Sequence, residues 1–130
     1  EAFYWDLNDK TRDFSKRFGA RFNGKMPTSV QAGFYSATLA YLNAVKTAGT
    51  DNPDKVMATM KAAKWDDPIF GPSYVRADGR KMHNMYLFEV KKPSESKGPW
   101  DYYKLLATIP GEEAFRPLEG SECPLVAKKN

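Results

Sequence analysis

The fold of this chain is decided by residues 27–49, which have the sequence PTSVQAGFYSATLAYLNAVKTAG. We predict one long helix here, because Pro27 leads in from outside and Thr28 or Ser29 can cap the free N–H groups of the first turn. Gly49 supplies the left-handed residue at which many helices end. Apolar residues form two neighbouring stripes: Val30, Phe34, Ala37, Tyr41, Ala44 and Ala48, and beside them Tyr35, Leu39 and Leu42. So broad an apolar surface predicts a helix wedged between a sheet and another helix.

Two shorter helices flank the long one. We predict the earlier helix over residues 9–22, with Asn8 or Asp9 as its cap. The later helix follows over residues 53–64, because Asn52 can cap it and proline suits the first helical position. The residues predicted to face inward are Phe14, Phe18 and Phe22 in the earlier helix, and Val56, Met57 and Met60 in the later one.

From Pro68 onward the pattern changes from helical to alternating, which indicates strands. We predict a short strand over residues 70–76, a tight turn at Asp78-Gly79 and a long strand over residues 82–91. The middle of the long strand is apolar on both faces, so we expect it to be covered on both sides. The remaining predictions are a buried strand end over residues 1–7, a loop over residues 92–99, a strand over residues 100–109, a helical turn over residues 112–115 and an irregular tail over residues 116–130.

Composition narrows the class of protein. The chain has 130 residues, of which 42% are hydrophobic and 14% aromatic, enough for a packed core. Its length corresponds to one domain or to a piece of a larger protein, and a start at Glu1 without Met or a leader makes us expect a piece. No apolar run approaches the roughly 20 residues of a membrane span. The net charge of +4 comes from scattered Lys and Arg, which argues against nucleic-acid binding.

The polar residues contain no recognisable catalytic set. We interpret His83, near the start of a strand, as a hydrogen-bonded structural residue. The acid pairs Asp66-Asp67 and Glu112-Glu113 lie at element ends, so we expect them to be solvated or capping. No glycine-rich loop precedes a helix to cradle phosphate. We therefore predict a protein that is not an enzyme and has no metal or other cofactor.

Two features favour ligand binding instead. Tyr4 and Trp5 leave a strand end, which is where ligands sit in open α/β sheets. The start of the long helix, at Ser29, Val30 and Gln31, offers free N–H groups and the positive end of the helix dipole to an anion. From the residues alone, plain helix capping is the favoured alternative for these three positions.

The order of the motifs resembles a known family. An aromatic-Trp-Asp strand end at residues 4–6 is followed by Ala-Gly-Phe-Tyr-Ser-Ala at residues 32–37 and Ala-Gly-Thr-Asp at residues 48–51. Phe-Gly-Pro-Ser-x-Val-Arg-x-Asp-Gly-Arg at residues 70–80 and an aromatic strand come next. Over most of residues 3–126 the series resembles the C-terminal part of the periplasmic substrate-binding proteins of ABC transporters, in the branched-chain amino-acid receptor family.

The resemblance implies an α/β chain that is part of a two-lobed type I periplasmic binding protein, with three helices, a short hairpin and two further strands, incomplete on its own. Residues 1–66 would complete the first lobe, residues 67–115 would be the returning strands at the hinge and lobes, and residues 116–130 a C-terminal tail. Such a receptor captures a small molecule, such as an amino acid or a small aromatic or aliphatic acid, for uptake from the periplasm. Its partners would be the ligand, the transporter permease, and the remainder of the receptor chain or a swapped copy.

The resemblance also implies roles for particular residues. Matching on the helical Tyr-x-Ala motif places Val30 in the ligand pocket, with Ser29 and Gln31 beside it. Cys123 is the one cysteine, so in the oxidising periplasm its disulfide partner would lie outside this chain. The alternative interpretation is a ligand-sensing domain of a receptor or regulator with the same fold, without transport. A third is an enzyme domain whose active site lies elsewhere.

Overall fold

A computed structural model describes residues 1–126, and the last four residues of the predicted tail lie outside that part. The elements are, in chain order, α1 (Asp9–Arg21), α2 (Ser29–Ala48), α3 (Pro53–Ala62), β1 (Lys64–Asp67), β2 (Gly71–Val75), β3 (Lys81–Met82), β4 (Met85–Val90), a 3-10 turn (Pro93–Glu95), β5 (Tyr103–Ile109) and α4 (Gly111–Ala114). The described chain is a mixed α/β structure in which three helices precede the strands, as predicted.

The three helices begin where their caps predict, and α1 and α3 end one and two residues earlier than predicted. The side chain of Asn8 accepts from the backbone N–H of Thr11 (3.1 Å), and the hydroxyl of Thr11 accepts from the backbone N–H of Asn8 (3.0 Å). Thr28 and Gln31 form the same reciprocal capping box at the start of α2. Gly49 ends α2 with a φ of 65°, the left-handed conformation that glycine adopts without strain. α3 begins with its predicted cap and proline.

Two antiparallel sheets are described after the helices. The first has the strand order β1-β2-β3, with Lys64 opposite Tyr74 and Val75 opposite Lys81. The second is the β4–β5 ladder, in which a bulge on β5 leaves Leu106 without an opposite residue.

The strand predictions are wrong in two places. No strand is predicted at β1, which lies between the helix predicted over residues 53–64 and the strand predicted over residues 70–76. Its four residues are rich in charge and have no strand pattern of their own; they form a strand by pairing with β2. The predicted strand over residues 82–91 is two strands in different sheets, separated at His83 and Asn84. Gly111 packs against this break so closely that a β-carbon there would lie 2.7 Å from the carbonyl oxygen of His83.

The strand ends also differ from the prediction. Residues 1–7 form no strand and make one backbone bridge to β4, through Glu1 and Tyr86. The strand predicted from residue 100 begins at Tyr103, after a turn. The expectation that the middle of β4 is covered on both sides is wrong for residues 1–126, in which Leu87 is 51% exposed.

The packing of α2 differs from the one that its apolar stripes predict. Its buried residues are small: Ala32, Ser36 and Ala44. The large apolar residues lie outside, since the exposed fraction is 75% for Val30 and 76% for Phe34. The predicted wedge between a sheet and another helix is therefore not formed within residues 1–126. Phe22, which follows α1 directly, and Met57 of α3 are also exposed, although both are predicted to face inward.

The core joins the N-terminal segment (residues 1–7) to α1, α2 and the turn after β1. Its buried members are Phe3, Phe14, Ala32 and Ile69, with Trp5, Phe18 and Phe70 packed against them. The rings of Phe3 and Phe14 meet edge to face with 6.1 Å between their centres, an arrangement that adds to the gain from burying apolar area. This contact anchors the N-terminal segment, so that Tyr4 and Trp5 follow directly from the core.

A buried ionic cluster ties α2 to the first sheet. The carboxylate of Asp67 accepts hydrogen bonds from Ser36 Oγ (2.5 Å), Lys81 Nζ (2.7 Å) and the backbone N–H groups of Ile69 (2.9 Å) and Phe70 (3.0 Å). Burial by itself would raise the pKa of Asp67, but these hydrogen bonds outweigh it and lower the pKa to about 2. The cluster joins three separate elements at one carboxylate.

The two acids of the Asp66-Asp67 pair have opposite environments. Asp66 is exposed and pairs with Lys10 (2.6 Å), as expected for a solvated acid. Asp67 is 1% exposed, so the expectation of a solvated side chain is wrong for it, although it does cap the turn that follows. The difference arises because Asp67 points inward from β1, toward the Lys81 ammonium.

Candidate ligand-binding cleft

A cleft of about 260 Å³ lies where the N-terminal segment meets the start of α2 and the turn before β5. The residues of its wall include Tyr4, Trp5, Ser29, Trp100, Tyr102 and Tyr103. We call this space the aromatic cleft. It brings together Tyr4, Trp5 and Ser29, three predicted ligand contacts that come from separate segments of the chain.

The polar atoms of Tyr4 and Trp5 are already bonded to the protein. The hydroxyl of Tyr4 donates to the carbonyl oxygen of Trp100 (2.9 Å) and accepts from the backbone N–H of Tyr102 (3.0 Å). Nε1 of Trp5 donates to the same carbonyl oxygen (2.7 Å). These two side chains therefore offer a ligand the surfaces of their rings, because the Tyr4 hydroxyl and Nε1 of Trp5 are already hydrogen-bonded.

Trp100 is held in an uncommon backbone conformation, with a φ of 70°. The turn around it is fixed by Asp101, whose carboxylate accepts from Lys91 Nζ (2.6 Å) and from the backbone N–H of Lys97 (2.8 Å). These two hydrogen bonds lower the pKa of Asp101, so it stays ionised near neutral pH. The structure around the turn thus compensates for the backbone strain that a left-handed tryptophan carries.

Sequence reasoning missed Trp100 and Tyr102 as residues of the cleft wall. Both fall in the aromatic run that begins the strand predicted over residues 100–109, where apolar residues are expected to face a core. The available signal was the proline-rich and glycine-rich loop directly before them, since such loops commonly carry binding residues.

The start of α2 contributes Ser29 to the cleft, while its other predicted contacts lie elsewhere. Thr28 accepts from the backbone N–H of Val30 (3.2 Å), and Oε1 of Gln31 accepts from the backbone N–H of Thr28 (2.9 Å). Capping is therefore present at these positions. Val30 and Gln31 line a different space, so the structure does not bring all five predicted contacts together.

That second space is an apolar groove between α1 and α2, of about 550 Å³. Its lining includes Phe14, Phe18, Val30, Phe34, Tyr35 and Leu42. We call it the apolar groove. Its side chains offer a partner almost no polar atoms, in contrast to the aromatic cleft, where carbonyl and hydroxyl groups meet the rings.

The remaining chemically distinctive side chains are structural in their contacts. Nδ1 of His83 donates to the carbonyl oxygen of Asn84 (2.8 Å), and its ring packs against Phe70 and Phe115. Burial is the main cause that lowers the pKa of His83, which keeps the ring neutral at pH 7. Cys123 is half-buried and has no disulfide partner among residues 1–126. That part of the chain contains no group of three His, Cys, Asp or Glu side chains that could hold a metal ion.

Comparison with known proteins gives one family. The family model for periplasmic binding proteins matches residues 1–99. A periplasmic binding protein from Burkholderia mallei is 49% identical with a TM-score of 0.91, over 96% of this chain and 33% of that one. A branched chain amino acid ABC transporter periplasmic ligand-binding protein from Burkholderia xenovorans LB400 is 48% identical with a TM-score of 0.91, over 97% and 33% of the two chains.

A more distant structure shares the fold. It is a solute binding protein of an ABC transporter from Rhodopseudomonas palustris BisB5, in complex with 3,4-dihydroxy benzoic acid. It is 23% identical with a TM-score of 0.66, over 82% of this chain and 28% of that one. None of the curated protein sequences matches the chain.

The described residues form an α/β chain, and its aromatic cleft is a candidate ligand site. The chain belongs to the periplasmic binding protein family, which confirms the resemblance seen in its motifs. It spans about a third of the length of the solved relatives, so its fold is one part of a type I periplasmic binding protein. The family and the relatives imply a periplasmic location. Among residues 1–126, no helix has the length and apolar character that crossing a membrane requires.

Proposed function

We propose that this chain is part of a receptor that captures a small molecule in the periplasm and delivers it to an ABC transporter permease, without chemical turnover. The observation that carries the proposal is the aromatic cleft, in which Tyr4, Trp5 and Ser29 meet the turn before β5. Two relatives near 50% identity also support the proposal, and one of them is described as a ligand-binding protein of an ABC transporter.

The chemistry of the cleft favours a small aromatic acid over an aliphatic amino acid. Its wall presents rings from Tyr4, Trp5, Trp100 and Tyr102, and planar ligands pack well against ring faces and edges. The ring polar atoms of Tyr4 and Trp5 are occupied, so recognition of an α-ammonium group by them is disfavoured. The hydroxyl of Ser29, at the positive end of α2, suits a carboxylate. The dihydroxybenzoic acid bound by the Rhodopseudomonas palustris protein agrees with this ligand class.

Calorimetric titration of the full-length receptor with 3,4-dihydroxybenzoate and with leucine tests the ligand class. We expect the aromatic acid to bind at least about tenfold more tightly, and Trp100→Ala to weaken its binding by about tenfold, as loss of one stacking contact would. Tyr41→Ala is the matched control, since Tyr41 is an exposed aromatic residue of α2 outside the cleft. Tighter binding of leucine, or equal effects of the two substitutions, would contradict the proposal.

Two further measurements separate the proposed role from its alternatives. The 130-residue chain alone should bind the same ligand weakly or not at all, because the relatives are about three times as long and we place the rest of the cleft in the missing length. Submicromolar affinity of this chain for the ligand would count against a binding site that is formed between two lobes. Uptake of labelled ligand should be lost when the receptor gene is deleted; unchanged uptake would favour a sensor without transport.

The lobe assignments and the disulfide remain proposals. We propose that residues 1–66 complete the first lobe and that residues 67–115 carry the returning strands. For Cys123 we propose a disulfide partner elsewhere in the receptor, which mass spectrometry of the unreduced full-length protein would identify.

A further inference from the structure

Three hydrogen-bond donors converge on the carbonyl oxygen of Trp100. They are the hydroxyl of Tyr4 (2.9 Å), Nε1 of Trp5 (2.7 Å) and the backbone N–H of Tyr102 (3.1 Å). A carbonyl oxygen has two lone pairs, so these donors use its full capacity as an acceptor. The position of this one oxygen therefore decides how the rings of Tyr4 and Trp5 stand in the wall of the aromatic cleft.

The backbone of Trp100 does not take its position from a helix or a strand. It lies in the turn before β5, and its φ of 70° is uncommon for a residue with a β-carbon. Glycine would adopt this conformation without strain, so a tryptophan here indicates that its ring, which lines the cleft, is used. A conformation of this kind persists only where neighbouring contacts enforce it.

The ion pair between Asp101 and Lys91 supplies those contacts. One carboxylate oxygen of Asp101 accepts from Lys91 Nζ (2.6 Å), and the other accepts from the backbone N–H of Lys97 (2.8 Å). The backbone N–H of Lys91 also donates to the carbonyl oxygen of Tyr102 (2.8 Å). Lys91, at the end of β4, thus holds both residues that directly follow Trp100. The side chains of Lys91 and Asp101 are only 19% and 14% exposed, so salt screens this pair less than a surface pair.

We propose that Asp101 and Lys91 are positioning residues of the ligand site: their ion pair holds the Trp100 carbonyl where Tyr4 and Trp5 donate to it, and so sets the affinity for an aromatic acid. The inference rests on the proposed function, in which the aromatic cleft binds the ligand. Neither residue needs to touch the ligand. Their effect on affinity comes from ordering the cleft before the ligand arrives, which lowers the entropy that binding costs.

Calorimetric titration of the full-length receptor with 3,4-dihydroxybenzoate tests the effect on affinity. We expect Asp101→Ala to weaken binding by at least about tenfold, and Asp78→Ala by less than about twofold. Asp78 is the matched control because its carboxylate also pairs with a cation, Arg76 (2.7 Å), and accepts a backbone N–H of its own turn, that of Arg80 (3.1 Å). Its side chain is 17% exposed, and it lies outside the aromatic cleft.

The indole N–H of Trp5 reports the positioning directly. Its NMR signal in the full-length receptor is assigned by its loss in Trp5→Phe. We expect its exchange with water to become at least about tenfold faster in Asp101→Ala, because the Trp100 acceptor is no longer held, and to stay unchanged in Asp78→Ala. A purely structural role would lower the melting temperature without this selective change.

The conservative variant separates the charge of Lys91 from its shape. Lys91→Arg should bind the acid within about threefold of wild type, whereas Lys91→Met should lose affinity as Asp101→Ala does. Circular dichroism shows which variants are folded, and the two Lys91 variants decide the question if Asp101→Ala is not. Unchanged affinity and indole exchange in a folded variant without the pair would overturn the proposal, as would equal losses in Asp101→Ala and Asp78→Ala. A wild-type receptor that does not bind the acid refutes the proposed ligand class, and the positioning role then stands or falls with the indole exchange.

Discussion

Asp67 is a buried carboxylate whose cost of desolvation is offset by hydrogen bonds from Ser36, two backbone N–H groups and the Lys81 ammonium. The ammonium of Lys81 is itself partly desolvated, and it lies 4.4 Å from the centre of the Phe70 ring. Burial lowers the pKa of Lys81, while the Asp67 carboxylate opposes that change. Each partner therefore depends on the other for its charged state inside the protein.

Removing the charge of Asp67 should be costly. We expect Asp67→Asn to lower the free energy of unfolding by about 3 kcal/mol, because the Lys81 ammonium is left in the interior without a counter-charge. Asp66→Asn is the matched control at the next position; it breaks an exposed pair with Lys10 and should cost less than about 1 kcal/mol. Urea denaturation of the 130-residue chain at pH 7 measures both. Equal losses in the two variants would show that the buried pair contributes no special stability.

The same carboxylate predicts a dependence of stability on pH. The pKa of Asp67 is about 2 in the folded chain and about 3.9 for an unfolded aspartate, so the folded state binds the proton less readily. Its stabilising contribution is complete above the unfolded pKa and is lost as pH falls from about 4 toward 2. We expect the difference in unfolding free energy between wild type and Asp67→Asn to shrink over this range. Asp78 and Asp101 also have lowered pKa values, and the comparison between variants cancels their effects.

At the scale of elements, α2 is predictable because each of its signals lies within a few residues of the place where it acts. The Thr28–Gln31 capping box and Gly49 operate through backbone groups one turn away. Which face of α2 is buried is not determined by nearby residues. The small residues Ala32 and Ser36 face inward because β1 and its turn pack there, and the pattern of large apolar residues gives the opposite expectation.

Two glycines of α2 should respond in opposite directions to alanine. Gly49→Ala should destabilise the chain by about 1 kcal/mol, because the φ of 65° strains a residue with a β-carbon. Gly33→Ala lies in the helix interior, where a β-carbon meets nothing within 4 Å, and should stabilise the chain by up to about 1 kcal/mol. The midpoints of thermal and urea unfolding measure both changes. A stabilising Gly49→Ala would mean that the left-handed cap is absent in solution.

At the scale of the whole molecule, the described chain leaves a large apolar surface in contact with solvent. Val30, Phe34 and Leu42 of α2 are all more than half exposed and line the apolar groove. Large contiguous apolar patches of a protein surface are usually covered by a partner. The solved relatives are about three times as long, and we expect additional chain to cover this surface.

The isolated 130-residue chain should therefore associate in solution. We expect light scattering to report a mass above the 14.7 kDa of one chain at micromolar concentration. Phe34→Asp should shift the chain toward the monomer, since it places a charge in the apolar groove. Met57→Asp, at an exposed position of α3 outside the groove, is the control and should change the mass less. A clean monomer of the unmodified chain would contradict the expectation.

The sequence by itself determined the first three helices, the Asp78-Gly79 turn, the existence of later strands and the family. Each of these follows from caps, periodicity and ordered motifs of neighbouring residues. Of the candidate site it proposed Tyr4, Trp5 and Ser29, but it did not predict that they share a cleft with Trp100. Only the tertiary structure decided β1, the break at His83 and the burial of Asp67. Each of these depends on contacts between residues that are distant in the chain, and no local sequence pattern specifies those contacts.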